Sequence, residues 1–185
     1  TTSKYSGTTL KSINNRIPNS EITIIDTPGL IPDGRISDLI SVENGLKLVP
    51  AGEISRKTFK LEENQVFMFD AFCRFKVLGN ELLESGSKPI FSAYASKSVK
   101  FHVTREERVE DLLNGSFFEI LQKDEKEKYF QNEFVTCEVE IEENEELAIA
   151  GLGWINIKRG PLKIQLEIPK QVKVIVRPSI FKNKK

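Results

Sequence analysis

The 185-residue sequence is poor in the side chains that most often bind metals or form cross-links, with two cysteines and one histidine. Cys73 and Cys137 stand far apart and form no Cys-x-x-Cys pair, which argues against a zinc site within this sequence. Two cysteines also fit a reducing, intracellular setting. We expect both to be small, buried residues on strands.

The sequence also lacks long apolar runs and a net charge. No apolar stretch approaches the roughly 20 residues that a membrane helix needs, and no signal peptide is visible. The formal net charge is +0, so no overall field attracts a nucleic acid or a membrane. The charges are uneven, however, with eleven acids against three lysines in 119–146 and nine basic residues against one acid in 158–185. This asymmetry predicts a basic surface stripe, and a solvated face with a lysine tail is an equal alternative.

What the sequence does contain is alternation of apolar and polar residues, which is typical of strands with one solvent-exposed face. The alternation covers 135–142, 162–168 and 172–176. Further strands are predicted at 65–69, 71–78, 90–95, 146–150 and 154–158, the last two joined by a turn at 151–153. The hydrophobic fraction of 39% is sufficient for a packed core.

Helix signals are fewer. Thr104 can cap a helix with Glu107 three residues later, and Asn114-Gly115 would end it. Residues 36–48 also suggest a helix, which Gly45 weakens, and 122–133 predict an exposed loop or short helix. Pro50-Ala51-Gly52 is a break, so we place a domain boundary between 1–50 and 51–185.

The sharpest motif is Asp-Thr-Pro-Gly at 26–29, directly after the apolar run 21–25. The run predicts a buried strand that carries Asp26 to its carboxyl end. P-loop nucleotide hydrolases need this arrangement, because the Asp holds Mg²⁺ and the Gly lets a backbone N–H approach the γ-phosphate. Taken alone, the four residues favour an ordinary turn.

The polar segment upstream favours the nucleotide interpretation. The first switch loop of a P-loop nucleotide hydrolase needs a threonine that contacts Mg²⁺ and the γ-phosphate before hydrolysis and releases them afterwards. Thr9 is the predicted ligand, and Thr8 is the second choice. Two adjacent loop threonines would otherwise be explained by simple solvation.

The pieces TTSKYSGTTL, IIDTPGL, GRISDL and GLGW stand in an order that closely resembles the YqeH-type circularly permuted GTPases. The resemblance extends through Phe101-His102 and Thr104 to Val176-Arg177 and Ser179, over nearly the whole sequence. It implies a GTPase with GTP/GDP and Mg²⁺ as cofactors that acts in assembly of the small ribosomal subunit. It also implies an N-terminal zinc module and a C-terminal β-rich domain that contacts RNA or protein.

The sequence departs from a complete GTPase in two places. No Asn-Lys-x-Asp specificity loop follows Gly29, and no Gly-rich phosphate loop precedes Thr8. We therefore expect both upstream, as in the family, and predict that these 185 residues alone neither bind nor hydrolyse GTP appreciably. Many GTPases orient the attacking water with Gln after this Gly, but Leu30 stands here, so no catalytic base is assigned.

If the β-rich domain binds RNA, it should present cations for the phosphates and an aromatic residue for stacking. His102 is the one histidine, for which a structural role is the commoner outcome, and Trp154 is expected in the core. The predicted RNA contacts are Arg74, Lys100, His102, Arg105 and Arg177, with Lys97, Lys158, Arg159, Lys170 and Lys173 as further candidates.

The sequence thus predicts an incomplete α/β P-loop GTPase segment at 1–50, holding both switches, followed by an α+β, mainly antiparallel β domain at 51–185. The predicted function is GTP-dependent ribosome biogenesis, with the small subunit, its rRNA or ribosomal proteins as partners and no membrane. The expected location is the bacterial cytoplasm, with a mitochondrion or plastid as the alternative. The rival function is a stand-alone β-rich RNA- or protein-binding module in which DTPG is only a turn.

Overall fold

In the computed structural model of the protein, the described residues are 13–18, 20–26, 32–79 and 86–181. The chain divides into two compact units, Thr1–Asp33 and Gly34–Lys185. In the first unit, β1 (Ile13–Arg16) and β2 (Thr23–Asp26) form an antiparallel hairpin in which Ile13 lies opposite Asp26. The strand that was predicted to end at Asp26 is therefore present.

The second unit is built from two five-stranded antiparallel sheets. Among the described residues, its ten strands are β3 (Ser55–Lys60), β4 (Gln65–Phe69), β5 (Cys73–Val77), β6 (Ile90–Ala95), β7 (Phe101–Arg105), β8 (Phe134–Ile141), β9 (Glu145–Ile149), β10 (Gly153–Arg159), β11 (Leu162–Pro169) and β12 (Val174–Pro178). The first sheet has the order β12-β9-β10-β6-β3, and the second has the order β7-β4-β5-β11-β8. This confirms a mainly antiparallel β domain.

Phenylalanine rings join the inner faces of the two sheets. Phe91 of the first sheet lies with its ring centroid 5.2 Å from that of Phe67 and 5.6 Å from that of Phe75, both in the second sheet. Phe59 of β3 adds an edge-on contact to Phe67 at 4.9 Å. Phe67, Phe75 and Phe91 are fully buried, so these rings form the centre of the core.

Short helices complete the second unit: a 3₁₀ turn at Ile36–Leu39, α1 (Val42–Leu48), a 3₁₀ turn at Glu106–Arg108, α2 (Val109–Asn114) and α3 (Lys123–Phe130). The helix predicted from Thr104 begins later, because β7 continues through Thr104 and Arg108 is the N-cap. Its predicted end at Asn114-Gly115 is confirmed. The predicted helix at 36–48 is split in two by an extended residue, Ile40.

The alternation at 162–168 is confirmed, since Leu162, Ile164, Leu166 and Ile168 are all buried on β11. The other alternating segments are only partly buried, because β8 and β12 are edge strands. This exposure makes the expectation of a buried Cys137 wrong, whereas Cys73 on the central strand β5 is buried as predicted.

The structural boundary at Asp33/Gly34 precedes the predicted break at Pro50. Ile36 and Leu48 are 0% and 4% exposed and belong to the core of the second unit. The assignment of the first fifty residues to a nucleotide-binding domain stays a prediction. Within the described residues, no helix combines the length and the apolar character that crossing a membrane requires.

Candidate functional site

The predicted nucleotide site depends on where β2 ends. Asp26 is the last residue of that strand, as the sequence predicts, so its backbone stands at the strand's carboxyl end. Thr8, Thr9 and Gly29, the other predicted ligands of GTP and Mg²⁺, lie outside the described residues, as does the side chain of Asp26. The nucleotide and metal assignments therefore remain predictions.

The hairpin around Asp26 is exposed on both faces. Ile24 and Ile25 point to opposite sides of β2 and are 55% and 58% exposed. The strand was predicted to be buried, and in the described chain it is not. Among the described residues, β1 is the only neighbour of β2 in its sheet, and the apolar side chains on both sides of β2 are largely exposed.

Four of the five predicted RNA contacts lie on or next to the second sheet, where most of them have partners. The guanidinium of Arg74 pairs with the Glu167 carboxylate at 2.8 Å. The ammonium of Lys100 lies 2.6 Å from the Glu119 carboxylate and donates to the Phe117 carbonyl at 2.8 Å. Arg105 ends β7 and is exposed. The cations on this side are thus largely neutralised within the protein.

His102, on β7, packs against a neighbouring aromatic residue. The His102 and Phe117 rings have centroids 4.7 Å apart, and the Lys100 ammonium lies 5.3 Å from the Phe117 centroid. Burial lowers the pKa of the His102 imidazole below its usual range. The lowered pKa favours the neutral ring, so His102 is a poor source of positive charge for an anion site.

Arg177, the fifth predicted contact, lies on the other sheet. Its Nε donates to the carboxylate of Glu146 at 2.7 Å, and Glu146 is 0% exposed. The same carboxylate accepts a longer bond from the Ile180 backbone at 3.4 Å. Arg177 therefore compensates a buried charge, and the structure does not bring all five predicted residues together.

Trp154 lies outside the core, contrary to prediction. Its neighbour Ile155 points into the core, so Trp154 faces the outer side of the first sheet. Its ring stacks on Tyr94 at 4.9 Å, and Phe181 stacks on Tyr94 at 5.4 Å. The indole Nε1 is buried without a hydrogen-bond partner among the described residues.

The sequence interpretation also missed β3. Arg56 and Lys60 stand two residues on either side of Thr58, which places the three side chains on one face of the strand. The period of two was a usable signal, but the segment SRKTFK has only one strongly apolar residue and was not recognised as a strand.

Residues 88–180 match the family model described as "YqeH-like, C-terminal". The chain belongs to this family. The matched part of the YqeH-like fold runs from just before β6 to the end of β12. Strands β3, β4 and β5 precede the matched region, yet they pair with β6, β7 and β11. The YqeH-like domain of this chain is therefore structurally larger than the matched segment.

The chain is also similar to the protein described as "Uncharacterized protein YqeH" from Bacillus subtilis (strain 168). The two are 28% identical over 185 residues, which covers 98% of this chain and 48% of that relative. The chain thus spans about half the length of its curated relative.

Proposed function

We propose that this chain is the C-terminal part of a GTP-binding protein that acts in assembly of the small ribosomal subunit. The observation that carries the proposal is the ending of β2 at Asp26, directly before Thr27-Pro28-Gly29. A carboxylate at a strand's carboxyl end, followed three residues later by Gly, is the geometry that P-loop nucleotide hydrolases use to sense the γ-phosphate. Similarity to a YqeH protein along nearly the whole chain supports this interpretation.

The exposed hairpin provides a second, physical support. Sheets of nucleotide-binding α/β domains are covered on both faces, so their strands carry apolar residues on both sides. Ile24 and Ile25 give β2 this character and are more than half exposed. We infer that further strands and helices of a nucleotide-binding domain cover these side chains in the working protein.

Hard oxygen ligands such as the Asp26 carboxylate and the Thr9 hydroxyl suit Mg²⁺. In this proposal both hold the ion, and Thr8 and the Gly29 backbone approach the γ-phosphate. The ion would neutralise charge that develops on the phosphates during transfer. Leu30 cannot polarise water, so hydrolysis is expected to be slow until a partner docks.

The test uses the full-length product of the gene and a fluorescent GTP analogue. The upstream coding sequence should contain Asn-Lys-x-Asp followed by a GxxxxGK[ST] loop. Asp26→Ala is expected to weaken Mg²⁺-dependent binding about 10–100-fold, the usual cost of disturbing a metal's ligand shell. The isolated 185-residue chain is expected to bind little.

The control is Asp33→Ala, which removes an acid outside the motif. Unchanged affinity in Asp26→Ala, or tight GTP binding by the isolated chain, would contradict the nucleotide assignment. The start of the coding sequence also tests the proposed bacterial cytoplasmic location, because a transit peptide would indicate a mitochondrion or plastid instead.

A stand-alone binding module is the second candidate, and one observation favours it. The unit Gly34–Lys185 is compact and has its own phenylalanine-rich core. The absence of a phosphate loop from the upstream coding sequence would favour the stand-alone binding module over the GTP-binding protein.

A further inference from the structure

A cavity of about 740 Å³ lies between the helices α2 and α3 and the outer side of the second sheet. We call it the α2–α3 cavity. Besides the two helices, residues of β5, β8 and β11 line it. Its volume falls within the range of about 300–1,000 Å³ that is usual for small-molecule sites. The proposed nucleotide site belongs to the first unit and does not use this cavity.

The two helices contribute the same pattern of side chains to the α2–α3 cavity. The segment Glu-Asp-Leu-Leu-Asn at 110–114 belongs to α2, and Glu-Lys-Tyr-Phe-Gln at 127–131 ends α3. In both segments the first, fourth and fifth residues line the cavity. Residues three and four positions apart are neighbours on one face of a helix. Each helix therefore presents a carboxylate, an apolar side chain and a side-chain amide to the same space.

The two cations in the lining already have partners within the protein. The Lys126 ammonium donates to the carbonyls of Leu113 at 2.7 Å and Gly115 at 3.3 Å, near the end of α2. The Arg74 guanidinium pairs with the Glu167 carboxylate at 2.8 Å. An anion would have to compete with these partners, so the cavity is poorly suited to phosphates or carboxylates.

The other charges in the lining are negative. Glu110 and Glu127 are exposed and form no ion pair with any other described residue. The lining as a whole has three carboxylates against two cations. The side-chain oxygens of Asn114 and Gln131 add further acceptors. The α2–α3 cavity therefore suits a ligand that carries positive charge and donates several hydrogen bonds.

Apolar side chains line the same cavity beside the carboxylates. Phe130 and Phe134 are half-buried, and their rings stack with centroids 5.7 Å apart and planes at 22°. Leu113, the apolar residue from α2, is buried. Aromatic rings attract ammonium groups as well as packing against methylene groups. These residues select a cation that has an apolar chain.

An inorganic ion fits the α2–α3 cavity less well. Within the described residues, no group of three or more acids, cysteines or histidines is placed to hold a metal ion. A hard cation such as Mg²⁺ also gains nothing from apolar side chains in the lining. The chemistry of the cavity therefore points to an organic cation.

We propose that the α2–α3 cavity binds a linear aliphatic polyamine, with ammonium groups at Glu110 and Glu127 and methylene groups on Phe130 and Phe134. The two carboxylates come from different helices, so the ligand needs two positive charges that a chain separates. A polyamine alternates ammonium groups with short methylene chains, which matches the carboxylates and apolar side chains of the lining. The proposal goes beyond the proposed function and does not depend on it.

The experiment titrates spermidine into the ¹⁵N-labelled 185-residue chain at low salt and follows the backbone amides by NMR, with calorimetry for the affinity. The shifted amides are expected to cluster at 110–114 and 126–132. Glu110→Gln/Glu127→Gln is expected to weaken binding about 5–20-fold, because each exposed ion pair contributes up to about fivefold. Added salt should weaken binding to the unmodified chain.

The matched control is Asp111→Asn/Asp124→Asn, which removes the same charge from exposed positions on α2 and α3 that do not line the cavity. This variant should bind spermidine like the unmodified chain. Phe130→Leu keeps an apolar side chain but removes the ring, and is expected to weaken binding about 2–5-fold. Circular dichroism and thermal melting verify the fold of every variant.

Equal binding by the Glu110→Gln/Glu127→Gln variant and the control would overturn the proposal, as would shifts spread over the whole chain. So would equal affinity for n-butylamine, which has one charge and would show that two carboxylates are not needed. Equal affinity for Mg²⁺ at the same residues would indicate an inorganic cation instead. Tighter binding of the peptide Gly-Lys-Gly-Lys-Gly than of spermidine would also overturn it, because the cavity would then serve a basic protein segment.

Discussion

At the scale of single residues, the basic side chains of this domain differ in what their charges do. Arg177 satisfies a buried carboxylate, Arg74 and Lys100 pair with acids, and Arg56 and Lys60 face solvent. Sequence position does not distinguish these roles, because the acids that pair with Arg74, Lys100 and Arg177 are distant from them along the chain. A substitution at Arg177 would therefore disturb stability before it reported on any ligand.

His102 is the only histidine in the sequence, so its titration can be followed without overlap from another imidazole. It leads to a prediction about how stability depends on pH. Its pKa is lowered by burial, so between the folded pKa and about 6.5 the unfolded chain binds more protons. The neutral ring's contribution to stability is complete above about pH 6.5 and declines as pH falls toward the folded pKa. A proton NMR titration should place the single histidine midpoint below 6.5, and His102→Gln should flatten the stability profile just below about pH 6.5. A midpoint at or above 6.5 would show that the ring is solvated.

At the scale of elements, α1 depends on a residue of α3. The Ser41 backbone donates to Glu125 at 2.5 Å, and the Asn44 side chain donates to the same carboxylate. Burial opposes ionisation of Glu125, but the bonds from Ser41 and Asn44 outweigh it and lower the pKa of the carboxyl. This stabilisation is present above the unfolded pKa and is lost as pH falls through the lowered folded value.

Glu125→Ala is accordingly expected to destabilise the protein by about 1–3 kcal/mol at pH 7, the cost of leaving two donors without an acceptor. Urea unfolding measures the change. Glu127→Ala, on the same helix but exposed, controls for helix propensity and should stay within about 0.5 kcal/mol of the parent. Equal effects of the two substitutions would exclude a capping role for Glu125.

The elements show how far local pattern predicts this fold. Strands β4 and β6 lie where predicted, and the turn predicted at 151–153 lies between β9 and β10, although Gly153 already begins β10. Burial could not be predicted as well, because it depends on whether a strand is central, like β11, or at an edge, like β8 and β12. Thr104 had the sequence of a helix cap, yet pairing with Val66 of β4 extends β7 through it.

The candidate sites show the same limit. The sequence locates Asp26 at a strand end, because apolar runs and turn signals are local. It could not predict that Arg177 compensates the charge of Glu146, because the two residues meet only through the pairing of β12 with β9. Counting charges along the chain detected an asymmetry but not the acids that pair with Lys163, Lys170 and Arg177.

At the scale of the whole molecule, the second unit is expected to fold without the first. Gly34–Lys185 contains both five-stranded sheets and the phenylalanine core. A chain that begins at Gly34 should melt in one transition, within a few degrees of the 185-residue chain. Calorimetry of the two chains is the measurement, and a broad or much lower transition in the shorter chain would contradict structural independence.

Strands that are neighbours in the sheets of this domain are often distant in sequence, so some strands are synthesised well before their partners. Strand β5 emerges from the ribosome early, but its place in the sheet lies between β4 and β11, whose last residue is Pro169. Strand β6 likewise cannot complete its pairing until β10 has been synthesised. Neither sheet can close before β10, β11 and β12 have been synthesised, so the nascent domain exposes unpaired strand edges until late in its own synthesis. Folding should then be slow, in milliseconds to seconds, as for other folds that are dominated by distant pairings.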